Sequence, residues 1–243
     1  MAGIGLALGG GAALGFAHFG VLRALGELGI RASAVAGVSM GALVAAALAG
    51  GALDEAEELA RRSSRWRVWR EGRLALAGGL LDPLAHGARI AALAGLDRLE
   101  DAAIPLAVGS VDLLTGEAVG WHQGPADVLL GASIAVPGIF RPVIHEGRWL
   151  VDGGVVAPVP SALVRSLGVE RVIAVDVLQD YAGRVSAMTG GGALAQRPPS
   201  LRRAASLSLA RLLAALAESS AMAGRPDLVI RPQVGGFSVL DFD

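Results

Sequence analysis

The chain has 243 residues, 53% of them hydrophobic and 18% charged, which suffices for one well-filled core and suits a single domain spanning 1–243. A formal net charge of -1, with no acidic or basic tail, leaves nucleic acid unsupported as a partner. Cysteine is absent, which excludes disulfides and thiolate metal sites and accords with a reducing compartment.

The first residues, MAGIGLALGGG, lack a basic region ahead of the apolar run, so no removable secretion signal is expected and the protein is read as cytoplasmic. GIGLAL (3–8) reads as a strand ending in glycines. LGFAHFGVLRALGELG (14–29) follows as a helix, with Leu14, Ala17, Val21, Leu22, Leu25 and Leu28 at helical spacing and Gly29 closing it. The stretch Ala32 to Leu53 carries no charge and is long enough to cross a bilayer. Its glycines and serines favour a strand (33–38), a sharp turn and a buried helix (40–49) instead. DEAEELARR (54–62) starts another helix with acids in its first turn. IPLAVGSVDL and EAVGWHQ flank Thr115 and Gly116 as a hairpin, and PVIHEGRWLVDGG holds a second pair around Glu146 and Gly147. A helix near 161–167, a buried strand at 170–177, a long helical stretch at 201–221 and a strand at 227–232 complete the pattern. These elements predict an α/β fold: a three-layer α/β/α sandwich around a mostly parallel central sheet. TGGGALAQRPPS (189–200) reads as a flexible loop near a site entrance.

GVSMG (37–41) has the spacing of a strand that turns abruptly into a helix with a nucleophile at its tip. There Gly37 and Gly41 must lack side chains to avoid collision with the turn. The following helix aims its N-terminal amides at Ser39, which favours an alkoxide and an oxyanion. A bare GxSxG is nonetheless a weak signal, and a plain turn serine reads equally well.

The proton acceptor discriminates. An α/β-hydrolase triad runs Ser, Asp or Glu, then His along the chain. The histidines here are His18, His86, His122 and His145, and none lies beyond residue 145. His122 and His145 fall in predicted hairpin strands, and His18 precedes the serine, so a triad fits poorly. Asp152 ends the strand RWLV ahead of Gly153 and Gly154, where its carboxylate can accept the Ser39 proton if the two meet. Read alone, Asp-Gly is a turn signal. LGGGAA (8–13) offers the unobstructed amides of Gly9, Gly10 and Gly11 as an oxyanion hole at a helix end.

Taken in order, GLALGGGAALGFAHFGVLRAL, AGVSMGAL, VDLLTGE, GASIAVPGIFRPV and WLVDGGV resemble the patatin-like phospholipases, especially bacterial members related to the neuropathy target esterase catalytic domain. The resemblance covers about residues 4–178, and PQVGGFSVLDF looks like the family's closing segment. It implies a Ser-Asp dyad without histidine, with Ser39 as nucleophile, Asp152 as base and the Gly9, Gly10 and Gly11 amides as oxyanion donors. It further implies acyl-ester hydrolysis on lipid substrates, needing no metal or organic cofactor. The family usually carries Arg or Lys where this chain has Leu14, and often glycine where it has Ala12, which puts preference for an anionic headgroup in doubt.

Two other readings compete. Gly9, Gly11 and Gly15 after a strand approximate a dinucleotide-binding turn, but Val38 and Ser39 stand where that motif wants an acid. Alternatively, the chain is a catalytically weak module at a membrane. RRSSRWRVWREGR (61–73) would then be its peripheral contact, with arginines at 61, 62, 65, 67, 70 and 73 around Trp66 and Trp69, although a solvated helix face reads as well.

Overall fold

The computed structural model describes residues 3–62, 81–180, 183, 185, 186 and 200–237. Most of the arginine- and tryptophan-rich segment (63–73), the 189–199 stretch and the end of the closing segment (238–242) lie outside the described residues.

Among the described residues, eight strands form one sheet: β1 (Ile4–Leu8), β2 (Ala32–Val38), β3 (Leu106–Asp112), β4 (Ala118–Trp121), β5 (Val143–His145), β6 (Arg148–Asp152), β7 (Arg171–Val175) and β8 (Leu228–Ile230). The run β3-β2-β1-β7-β8 is parallel throughout, while β4, β5 and β6 pair antiparallel, so the sheet is mostly parallel as expected. Helices α1 (Ala17–Glu27), α2 (Met40–Ala49), α3 (Leu53–Arg61), α4 (Leu84–Leu93), α5 (Ala126–Ser133), α6 (Ser161–Arg165) and α7 (Leu201–Ala223) flank it. Crossovers run one way from β1 to β3 and the other way to β7 and β8, and right-handed connections then put helices on both faces. The side chains of β1 divide accordingly. A Cβ on Gly5 would meet Val164 and Val169 on the α6 side, whereas α2 packs against β1 and β2 from the opposite side.

The uncharged stretch 32–53 resolves into β2, a turn and α2. Helix α2 is buried nearly all round, and its run of alanines lets it settle close on the sheet. No described helix is long and apolar enough to cross a membrane. The predicted helix at 14–29 begins instead as a 3-10 turn (Ala12–Phe16), with α1 starting at Ala17. Its Leu14 is 3% exposed and belongs to the core, so the position where the resemblance leads one to expect a cation points inward here.

One feature of the sheet matters most for function. Val108 and Gly109 of β3 pair with both β2 and β4, and Ser110 and Val111 pair with both β4 and β6. A residue has one partner on each edge, so β2 and β6 lie end to end along the same edge of β3. Their C-terminal residues, Val38 opposite Gly109 and Asp152 opposite Ser110, therefore face each other.

Candidate active site

Ser39 stands between the end of β2 and the first residue of α2 with φ 55° and ψ -128°, a conformation that side chains other than glycine rarely take. The flanking glycines make that turn possible. A Cβ on Gly37 would press into the backbone of Gly41 and Ala42, and one on Gly41 would strike the carbonyls of Leu8 and Gly9. The residue is only 8% exposed, and its backbone N–H donates to Ser133 Oγ at 2.9 Å.

Because β6 ends opposite β2, Asp152 arrives beside this turn. It is 5% exposed, its carboxyl accepts a hydrogen bond from Gly154 N–H at 2.7 Å, and the Ser39 hydroxyl lies near enough to hold its pKa down. Burial pushes its pKa up from 3.8 to about 6, and the neighbouring Ser39 hydroxyl and the Gly154 N–H pull against that rise without cancelling it. Gly153 permits the approach, since a Cβ there would meet Gly109 O at 2.7 Å. The structure thus brings together Ser39 and Asp152, which stand far apart along the chain.

The glycine loop has a more divided role than its amides alone suggest. Gly9 N–H donates to Val175 O at 3.0 Å and Gly10 N–H to Pro158 O at 2.8 Å, so both are already committed to backbone carbonyls. Gly10 is needed for contact: a Cβ there would lie 3.1 Å from the Ser39 Cβ. Gly11 N–H has no acceptor among the described residues. Ala12, where the family often has glycine, carries a φ of 48° that glycine would adopt without strain.

The histidines fall elsewhere. His18 is fully buried and donates from Nε2 to Gly9 O at 2.7 Å, and burial lowers its pKa to about 4 despite that bond. It braces the loop. His145 lies in β5 with its ring against Trp121, while His122 lies one residue beyond the end of β4 rather than inside it. His86, on α4, packs its ring edge-on against Phe140.

His86 also helps line a cavity of about 190 Å³ that opens beside Ser39. Its walls are otherwise mostly apolar: Phe16 and Phe19 from the first turn and α1, Leu43 and Val44 from α2, Leu59 from α3, Ile90 from α4, and Ile134, Val136 and Phe140 from the segment after α5. Sequence reasoning missed two contributors. In the sequence Ser133 carries no motif of its own within GASIAVPGIF, while His18, just past the glycine loop, reads as a candidate base rather than as a brace for the loop.

Comparison with known proteins identifies the family. The family model described as patatin-like phospholipase matches residues 6–164. An uncharacterized NTE family protein of Mycobacterium tuberculosis is 36% identical over 190 residues, covering 74% of this chain and 50% of that protein. A patatin-like phospholipase domain-containing protein of Caenorhabditis elegans is 36% identical, covering 76% of this chain and 15% of its own length. Lysophospholipase NTE1 of Mycosarcoma maydis is 33% identical over 72% of this chain and 10% of its own. The chain therefore spans about half the length of the mycobacterial relative and far less of the other two. VipD from Legionella pneumophila superposes with a TM-score of 0.42 at 14% identity, over 84% of this chain and 58% of that one, a likeness too loose to carry an argument. With most of the sheet and the whole of the Ser39 and Asp152 region inside the matched residues, the chain belongs to the patatin-like phospholipase family.

Proposed function

We propose that the chain is a serine acyl-ester hydrolase of lipid esters, with Ser39 as nucleophile and Asp152 as general base. The observation that carries this reading is the placement of the strained Ser39 at the end of β2, facing the end of β6, where the buried Asp152 carboxyl has a pKa of about 6 that leaves it ionised yet basic near neutrality. The apolar cavity beside Ser39 supports an acyl chain as the group received there.

In the first half-reaction Ser39 Oγ attacks the ester carbonyl carbon as its proton passes to the Asp152 carboxylate. The tetrahedral intermediate then collapses, the C–O bond to the alcohol breaks, and Asp152 returns the proton to the departing oxygen. In the second, water loses a proton to Asp152 and attacks the acyl-enzyme; the fatty acid leaves and Ser39 regains its hydrogen. The oxyanion donors we assign are the Gly11 amide and the Met40 amide, the residue after the nucleophile at the N-terminus of α2. Gly9 and Gly10, whose amides are engaged, instead shape the wall against Ser39. His18 braces Gly9 from behind and is not the base, since its Nε2–H points at a carbonyl.

Reaction with a fluorophosphonate followed by intact-mass measurement tests the proposal. One adduct per chain that maps to Ser39 is expected. An unmodified chain, or an adduct on another serine, overturns it. The lipid headgroup and any membrane contact belong to the same proposal and are read by assaying neutral esters and phospholipid vesicles side by side.

A further inference from the structure

We infer that the segment Ser133–Ala135 is a gauge that fixes the spacing of Ser39 and Asp152, with Ser133 as a positioning residue; this rests on the dyad reading above. β2 and β6 meet tip to tip along β3, and neither strand pairs with the other. β3 sets where each strand ends, but Ser39 lies one residue beyond the pairing and must be held by something else. Ser133 Oγ accepts the Ser39 N–H at 2.9 Å, and two residues later Ala135 O accepts the Asp152 N–H at 3.0 Å. One short stretch of chain thus grips the backbone of both residues.

The gauge is itself anchored. Ser133 is fully buried at the end of α5 and donates its own hydrogen to Gly109 O at 2.7 Å, which uses the hydroxyl as donor and acceptor at once. That carbonyl is the one against which Gly153 packs, so the contacts run from Ser39 through Ser133 and Gly109 to the residue beside Asp152. The Ser39 amide has no helix or strand acceptor at this turn, and without Ser133 it becomes a buried donor with no partner, an arrangement relieved only by moving the turn. Ile134 and Val136 alternate with the gripping residues and line the cavity. An acyl group seated there therefore presses on the same segment that sets the dyad.

The test compares Ser133→Ala with Ser161→Ala. Ser161 is also fully buried, but its hydroxyl bonds the Ser220 and Ala221 carbonyls of α7, away from the cavity. Each variant is assayed at the same interval below its own melting temperature. Ser133→Ala is expected to lower the fluorophosphonate labelling rate and kcat by at least about tenfold with KM within about twofold, as small misplacements of reacting groups do. Ser161→Ala should retain wild-type rates. Amide hydrogen exchange at Ser39 should quicken by at least about tenfold in Ser133→Ala alone. If Ser133→Ala does not fold, Ser133→Cys, which keeps the volume with a weaker hydrogen bond, is read in the same way. Wild-type labelling and exchange in the Ser133 variant, or equal losses in the Ser161 control, overturn the inference. A wild-type protein that never labels removes the hydrolase reading, and exchange at Ser39 then decides the gauge without it.

Discussion

Ser39 holds φ 55° and ψ -128°, and Asp152 holds a carboxyl raised to about 6; each costs the fold something that a simpler residue would not. Backbone strain of this kind is worth on the order of 1–3 kcal/mol. Ser39→Gly should therefore raise the melting temperature while abolishing labelling, and Ser39→Ala should abolish labelling with stability within about 1 kcal/mol of wild type. Labelling that survives either change would remove Ser39 from the mechanism. For Asp152 the sign follows from linkage. Between about pH 4 and 6 the folded chain binds a proton that the unfolded chain has released, so stability falls as pH rises across that window. Above it, the buried carboxylate costs on the order of 3 kcal/mol, the free-energy equivalent of a pKa raised from 3.8 to about 6. Asp152→Asn should raise the melting temperature at pH 7 but not at pH 4, and lower turnover at least about a hundredfold. Wild-type activity should fall on acidification through about pH 6 as the base is protonated. A flat profile there would assign the proton to another group. Leu14 shows where sequence reasoning stopped: its helical spacing put it with the core and its motif position put it beside the site. The structure buries it, so Leu14→Arg should lower stability rather than redirect headgroup choice.

Gly41 ends the turn that begins at Gly37, and its α-carbon lies against the carbonyls of Leu8 and Gly9 at the tip of β1. Gly20, on an exposed turn of α1, has open space where a Cβ would go. Gly41→Ala should then destabilise by about 3 kcal/mol or more, through displacement of α2 from the sheet, whereas Gly20→Ala should stabilise by about 0.5–1 kcal/mol from helix propensity alone. Comparable melting temperatures for the two variants would contradict the close packing of α2. This elbow was legible because it is local: five consecutive residues contain both the strain and the glycines that relieve its collisions. The central strands were legible for the same reason, as continuous apolar runs closed by glycine or charge. Helix α5 was not, since ADVLLGAS is buried almost throughout and displays no apolar stripe to count. Its last residue, Ser133, was lost with it. Nor could the glycine triplet disclose which amides remain free, because Val175 and Pro158, which occupy two of them, come from distant parts of the chain.

Across the whole molecule, α6 and α7 close one face of the sheet, while the other carries the cavity, assembled from segments between Ala12 and Phe140. No local pattern encodes such a space. It exists because α1 to α4 and the stretch after α5 converge over the C-terminal end of β2, where crevices in open α/β sheets form. At about 190 Å³ it exceeds the roughly 150 Å³ of an engineered apolar cavity that accepts benzene, which suits a medium-length acyl group. If the acyl chain occupies it, each methylene added to an ester should raise kcat/KM by up to about fourfold, the equivalent of ~0.8 kcal/mol, until the cavity is filled. The preference should then level off. Leu43 lines this space from α2 without being fully buried, so Leu43→Trp extends a larger side chain into it while leaving Ser39 and Asp152 in place. Across p-nitrophenyl acetate, butyrate and octanoate, the variant should keep wild-type activity on acetate and lose the gain at octanoate. Its fluorophosphonate labelling should also depend on the reagent's alkyl length, short chains reacting as in wild type and long ones slowly. A folded Leu43→Trp variant whose chain-length profile overlays the wild type would place the acyl group outside this cavity, and the apolar walls beside Ser39 would need another explanation.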